Sequence, residues 1–128
     1  MVIKPIINSK YQRVFRLFGI IMLFFVLAAS LLPIRTGNTI PMADKLIHAL
    51  IYFILMTYHL IAYPKWPWLS VGFLFFFGLL IEVLQSFSPY RYFETLDLVA
   101  NSVGILMGIG LGLLIFRQKK YNNDDLPQ

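Results

Sequence analysis

The chain has 128 residues, of which 59% are hydrophobic and 13% charged, and its mean hydropathy of +0.73 excludes an ordinary water-soluble domain. It has no cysteine, which excludes disulfides, thiolate nucleophiles and cysteine-ligated metals. The net charge of +5 would suit nucleic acid in a soluble protein, but here the basic residues flank apolar runs, so no nucleic-acid partner is expected.

Crossing about 30 Å of hydrocarbon takes roughly 20 apolar residues of helix, and four runs reach that length. Residues 1–13 are read as a short cytoplasmic segment whose Ile3, Ile6, Ile7 and Tyr11 suit the membrane surface. The first span is predicted over 14–32. Its basic start, Lys4 to Arg16, and its Ala28-Ala29-Ser30 resemble a secretory signal with a cleavage site. Apolar residues nevertheless continue through Leu32, and the run is long enough to span, so an uncleaved helix is expected. Further spans are predicted over 44–63, 68–87 and 97–116, followed by a polar cytoplasmic tail over 117–128. The connections 33–43, 64–67 and 88–96 carry prolines or charges that end helices, and short connections make successive helices antiparallel. The expected fold is all-α, an integral membrane four-helix antiparallel bundle occupying residues 14–116.

Lys4, Lys10, Arg13, Arg16, Lys65, Arg117, Lys119 and Lys120 lie on one side of these spans, and Arg35, Lys45 and Arg91 on the other. The excess of basic residues marks the cytoplasmic side, so both termini are expected there, in a bacterial inner (cytoplasmic) membrane. Tyr11, Tyr63, Trp66 and Trp68 then fall at the inner interface, and Tyr90, Tyr92 and Phe93 at the outer one.

With that orientation the polar residues of the last three spans converge on the outer leaflet. Asp44, His48 and Tyr52 recur every fourth residue and share a helix face, as do Gly78, Glu82 and Gln85, and as do Asp97, Asn101, Gly104 and Gly108. A charged group facing lipid costs roughly 2.5–3.5 kcal/mol at mid-membrane, so these faces turn inward and predict a buried polar pocket open to the outside. His59, near the inner end of the second span, belongs to no such set and reads as a packed or snorkelling residue. Ala100, Gly104, Gly108 and Gly112 form a stripe of small residues expected to pack within the chain, and the oligomeric state stays open.

The residues from Asp44 to Gly112 resemble the VanZ-like membrane protein family. The resemblance rests on Asp44-Lys45, His48 and Tyr52, then Gly78, Glu82 and Gln85, then Arg91, Glu94, Asp97, Asn101 and Gly104, three motifs in order. Tyr90 stands where the family often has glycine, and Glu94 where it often has aspartate. The family takes its name from a member associated with resistance to teicoplanin, a glycopeptide that acts on cell-wall precursors outside the membrane. The resemblance thus implies an outward-facing site, without supplying a reaction.

Two readings of the cluster follow. In one it binds or processes an outer-leaflet amphiphile, a lipid-linked phosphate or cell-wall precursor, affecting envelope and glycopeptide sensitivity. Lys45 and Arg91 would hold phosphate. Asp44, Tyr52, Gln85, Asp97 and Asn101 would line the pocket, and Glu82 and His48 would serve as general base and acid if bonds are broken. In the other the chain is a non-enzymatic scaffold or partner-binding protein, and the cluster is a structural network, with Asp44 and Asp97 as helix-start residues. A metal held by Asp44, His48, Glu82 and Asp97 has suitable ligand types but no diagnostic spacing, so neither metal nor cofactor is expected. Phosphate-binding glycine loops and nucleophile elbows are missing from the sequence.

Overall fold

The computed structural model describes residues 8–32, 42–89 and 92–124. Four helices account for nearly all of them: α1 (Ser9–Leu31), α2 (Ala43–Ala62), α3 (Pro67–Ser86) and α4 (Thr95–Asp124). Each is long and apolar enough to cross a membrane, over Lys10–Leu31, Ala43–Ala62, Pro67–Ser86 and Thr95–Phe116. The protein is a multi-pass, all-α membrane bundle.

Local chemistry sets the helix ends. Helix α1 begins five residues before the apolar run, because the Asn8 side chain accepts from Lys10 N at 3.4 Å and caps the first turn. Pro67 opens α3 at a position where its fixed φ suits a helix and its missing N–H is no loss. Helix α2 is preceded by Met42 in the left-handed region, at φ 73°, a conformation that costs a side-chain-bearing residue about 1–2 kcal/mol. Asp44 sits in the first turn of α2 and does not cap it. The polar tail expected from residue 117 is helical through Asp124, since Arg117, Gln118, Lys119 and Lys120 are good helix formers that prolong α4 past its apolar span.

Successive helices are antiparallel, yet the most extensive contact joins α2 to α4, which run parallel. Gly104 lies against Ala49 and Phe53, Gly108 against Phe53 and Met56, and Gly112 against Leu60, so the register advances together along both helices. The glycine stripe therefore packs inside the chain. Helix α3 covers the α2–α4 pair, burying Leu74 and Ile81 near a core built from Tyr52, Leu55, Met56, Leu60, Ile105 and Ile109. Among the described residues α1 touches α2 and α3 but not α4. Its Leu17, Phe18, Ile21, Phe24 and Phe25 are exposed, as lipid-facing residues should be.

Directional contacts hold α1 in place. Tyr58 Oη donates to Phe15 O at 2.7 Å while its ring stacks on that of Phe15, and Gln85 Nε2 donates to Ser30 O at 2.8 Å. Arg16 lies 5.2 Å from the Tyr63 ring and donates from Nε to Ala62 O at 3.4 Å. Removing one interhelical hydrogen bond with its ring contact kept is expected to be mild: Tyr58→Phe should lower stability by about 0.5–1.5 kcal/mol, read as a fall in melting temperature in detergent. A loss several times larger would mean that the hydroxyl, not the ring, docks α1.

Candidate functional site

The polar residues gather at one end of the bundle, where α2 starts, α3 ends and α4 starts. Lys45 Nζ lies 2.6 Å from Asp44 Oδ2, 2.5 Å from Glu94 Oε2 and 3.0 Å from Asp97 Oδ1. Asp97 is buried, whereas Asp44 and Glu94 are half-exposed at the rim. One ammonium thus ties the first turn of α2 to the first turn of α4 and to the connection before it.

Beneath this clamp, His48 Nδ1 lies 3.1 Å from Asn101 Oδ1 and His48 Nε2 lies 3.8 Å from Asp97 Oδ2. An amide oxygen only accepts, so Nδ1 carries the hydrogen of this bond. Glu82 is fully buried, with 0% of its surface exposed, and its Oε2 accepts from Glu94 N at 3.5 Å. Tyr52 and Asn101 are 2% and 1% exposed, and neither Tyr52 Oη nor Asn101 Nδ2 has a hydrogen-bond partner among the described residues. Both atoms would lie 3.0 Å from a Cβ at Gly78, so this glycine makes room on α3 for a phenol and an amide reaching across from α2 and α4.

Helical periodicity therefore brings together Asp44, Lys45, His48, Tyr52, Glu82, Asp97 and Asn101. Gln85 is buried but turns to Ser30 on α1, so its amide joins helices. Arg91 and Tyr90 lie outside the described residues, as does Arg35. Glu94, read from the sequence as part of a motif but not of the binding set, is a direct partner of Lys45. The signal for it was the acidic residue three before Asp97, which places a second carboxylate one turn from the first across the α4 start. His59, at the other end of α2, is buried, with Nδ1 2.9 Å from Leu55 O and its ring against those of Tyr63 and Phe73. A carbonyl only accepts, so Nδ1 is the donor there, and His59 is a packed residue.

A sequence model of the family described as VanZ/LLP1 matches residues 4–117. The chain belongs to the VanZ/LLP1 family. Neither the curated proteins nor the solved structures gave a match. The VanZ/LLP1 match extends well beyond the motif region of Asp44 to Gly112 and takes in α1. What this VanZ-like membrane protein carries at the cluster is two buried carboxylates, a buried phenol and a buried amide around a partly buried imidazole, closed at the rim by a lysine and two further carboxylates.

Proposed function

We propose that this polar cluster binds the phosphate-bearing head group of an outer-leaflet amphiphile, a lipid-linked phosphate or cell-wall precursor, and thereby alters envelope and glycopeptide sensitivity. In this reading the bundle sits in the inner membrane of a bacterium with both termini cytoplasmic, which the distribution of basic residues supports. The observation that carries it is the burial of Glu82, Asp97 and Asn101 together at one end of a bundle whose helices expose large hydrophobic side chains to the lipid. Ionisable groups at that depth are functional candidates by default, because a packing role is served more simply by the glycine stripe.

The clamp constrains how phosphate would bind. Lys45 is already ringed by three carboxylates, so an anion approaching it meets Asp44 and Glu94 as well. Head-group capture falls first on Arg91, in the connection between α3 and α4, with Lys45 joining once a rim carboxylate swings aside. A specific observation also favours the scaffold reading: the contacts of Lys45 with Glu94 and Asp97 tie the start of α2 to the start of α4.

Purified wild type and Glu82→Gln, melted in detergent with and without polyprenyl phosphates, cell-wall lipid precursors or inorganic phosphate, separate the two. A ligand at 100 times its dissociation constant adds about 2.7 kcal/mol. Stabilisation of wild type by a lipid, lost in a folded Glu82→Gln protein, is the expected result. A shift with inorganic phosphate alone assigns recognition to the phosphate group, and a shift with lipid alone assigns it to the whole amphiphile. No shift with any ligand, together with a merely less stable variant, would overturn the reading in favour of the network. Processing is distinguished from binding by turnover, since loss of a general base costs at least about 100-fold.

A further inference from the structure

His48, Glu82 and Asp97 each offer one ligand atom, and these atoms lie within 4.8 Å of one another, on three different helices. A second set, Asp44, Glu94 and Asp97, is equally close but already surrounds the Lys45 ammonium, which fills the place of a cation there. The inner set lies deeper and adds an imidazole to its carboxylates.

We infer that His48, Glu82 and Asp97 form a binding site for a divalent first-row metal ion of the Mn2+ or Zn2+ class. The donor set of one imidazole and two carboxylates suits these ions and leaves positions open for water or a phosphate oxygen. The imidazole is prepared for it. Asn101 Oδ1 takes the hydrogen of Nδ1, so a neutral ring presents the Nε2 lone pair, 3.8 Å from an oxygen of Asp97. Two electron-rich atoms at that distance are too far apart to share a hydrogen and are spaced for a cation between them: an ion with bonds of about 2.0–2.1 Å sets tetrahedral ligands about 3.3 Å apart. A carbonyl-type partner on the second ring nitrogen is the usual support of a metal-bound histidine, and Lys45 plays the same part for Asp97 by holding Oδ1 at 3.0 Å, leaving Oδ2 toward His48.

An independent observation points the same way. Tyr52 Oη and Asn101 Nδ2 are buried polar atoms with no hydrogen-bond partner among the described residues; both come within 3.0 Å of where a Cβ would stand on Gly78, one turn before Glu82 on α3, and the Asn101 amide is bonded to His48. Buried groups of this kind are ordinarily satisfied, and a water carried by the ion would supply the missing partner. The inference needs no lipid, so it stands or falls apart from the head-group reading.

The experiment uses Mn2+ as probe on the full chain, purified in detergent through a tag without histidine, stripped with a chelator and reloaded. The chain has two histidines, so the His59→Gln protein retains His48 alone. Both wild type and His59→Gln are expected to bind one Mn2+ per chain, with imidazole-nitrogen coupling in pulsed electron paramagnetic resonance and displacement by Zn2+. His48→Gln should remove that coupling and weaken binding at least about tenfold. Absence of stoichiometric Mn2+ in folded wild type overturns the site, as does a bound ion in folded His59→Gln without nitrogen coupling. Because the His59→Gln protein reads His48 directly, the outcome does not depend on whether His48→Gln folds.

Discussion

Gly104→Ala is expected to destabilise the bundle by about 3 kcal/mol, although it adds a single methyl group and raises helix propensity. A Cβ at residue 104 would overlap the Ala49 carbonyl oxygen and lie 2.9 Å from Phe53 N and 3.0 Å from Ala49 C. All three are backbone atoms, which cannot rotate out of the way as a side-chain end can, so α4 must move off α2. The internal control is Gly110→Ala. Gly110 is exposed and nothing lies within 4 Å of its would-be Cβ, so there the propensity gain of about 0.5–1 kcal/mol should survive. Unfolding of the two variants in detergent, with opposite signs of the change, is the expected result. Equal effects would mean that α2 and α4 do not touch through this stripe. A consequence for the site follows, because Ala49 adjoins His48: moving α4 away at this level lengthens His48 to Asn101, and head-group or metal binding should weaken with stability.

That close parallel pair also marks the limit of what the sequence reveals. Four apolar runs of span length predicted four helices, and four-residue spacing put Asp44, His48 and Tyr52 on one face and Asp97 and Asn101 on another; each of these meets its neighbours as periodicity requires. Periodicity within a helix does not say which helix a face meets. Short connections fix only that sequence neighbours are antiparallel, whereas the closest approach is decided by where the backbone lacks side chains, which brought α2 and α4 together. Gln85 illustrates the same limit, since its position on the face of Glu82 does not reveal that a long amide can reach the Ser30 carbonyl of α1. The ends of the helices were legible only where apolar length agreed with capping and helix propensity, and they part at the start of α1 and beyond residue 116.

The second large effect concerns Lys45. Lys45→Met is expected to lower stability by about 2 kcal/mol, below the range for a fully buried ion pair because Lys45 keeps 17% of its side chain exposed while Asp97 is buried. The three carboxylates do not share that loss equally. Asp44 and Glu94 keep about half of their side-chain surface exposed, at 48% and 51%, and water can replace the ammonium there, so Asp44→Asn or Glu94→Gln should each change stability by less than about 1 kcal/mol. Asp97, 7% exposed, has no such recourse and would be left as a buried charge. Adding Asp97→Asn to Lys45→Met should therefore cost little more than Lys45→Met alone, or restore part of the loss, a non-additivity that a double-mutant cycle measures. Full additivity would mean that Lys45 and Asp97 act independently. A Lys45→Met protein as stable as wild type would free the ammonium from its role as a clamp between α2 and α4, and so count for its direct use in holding a phosphate.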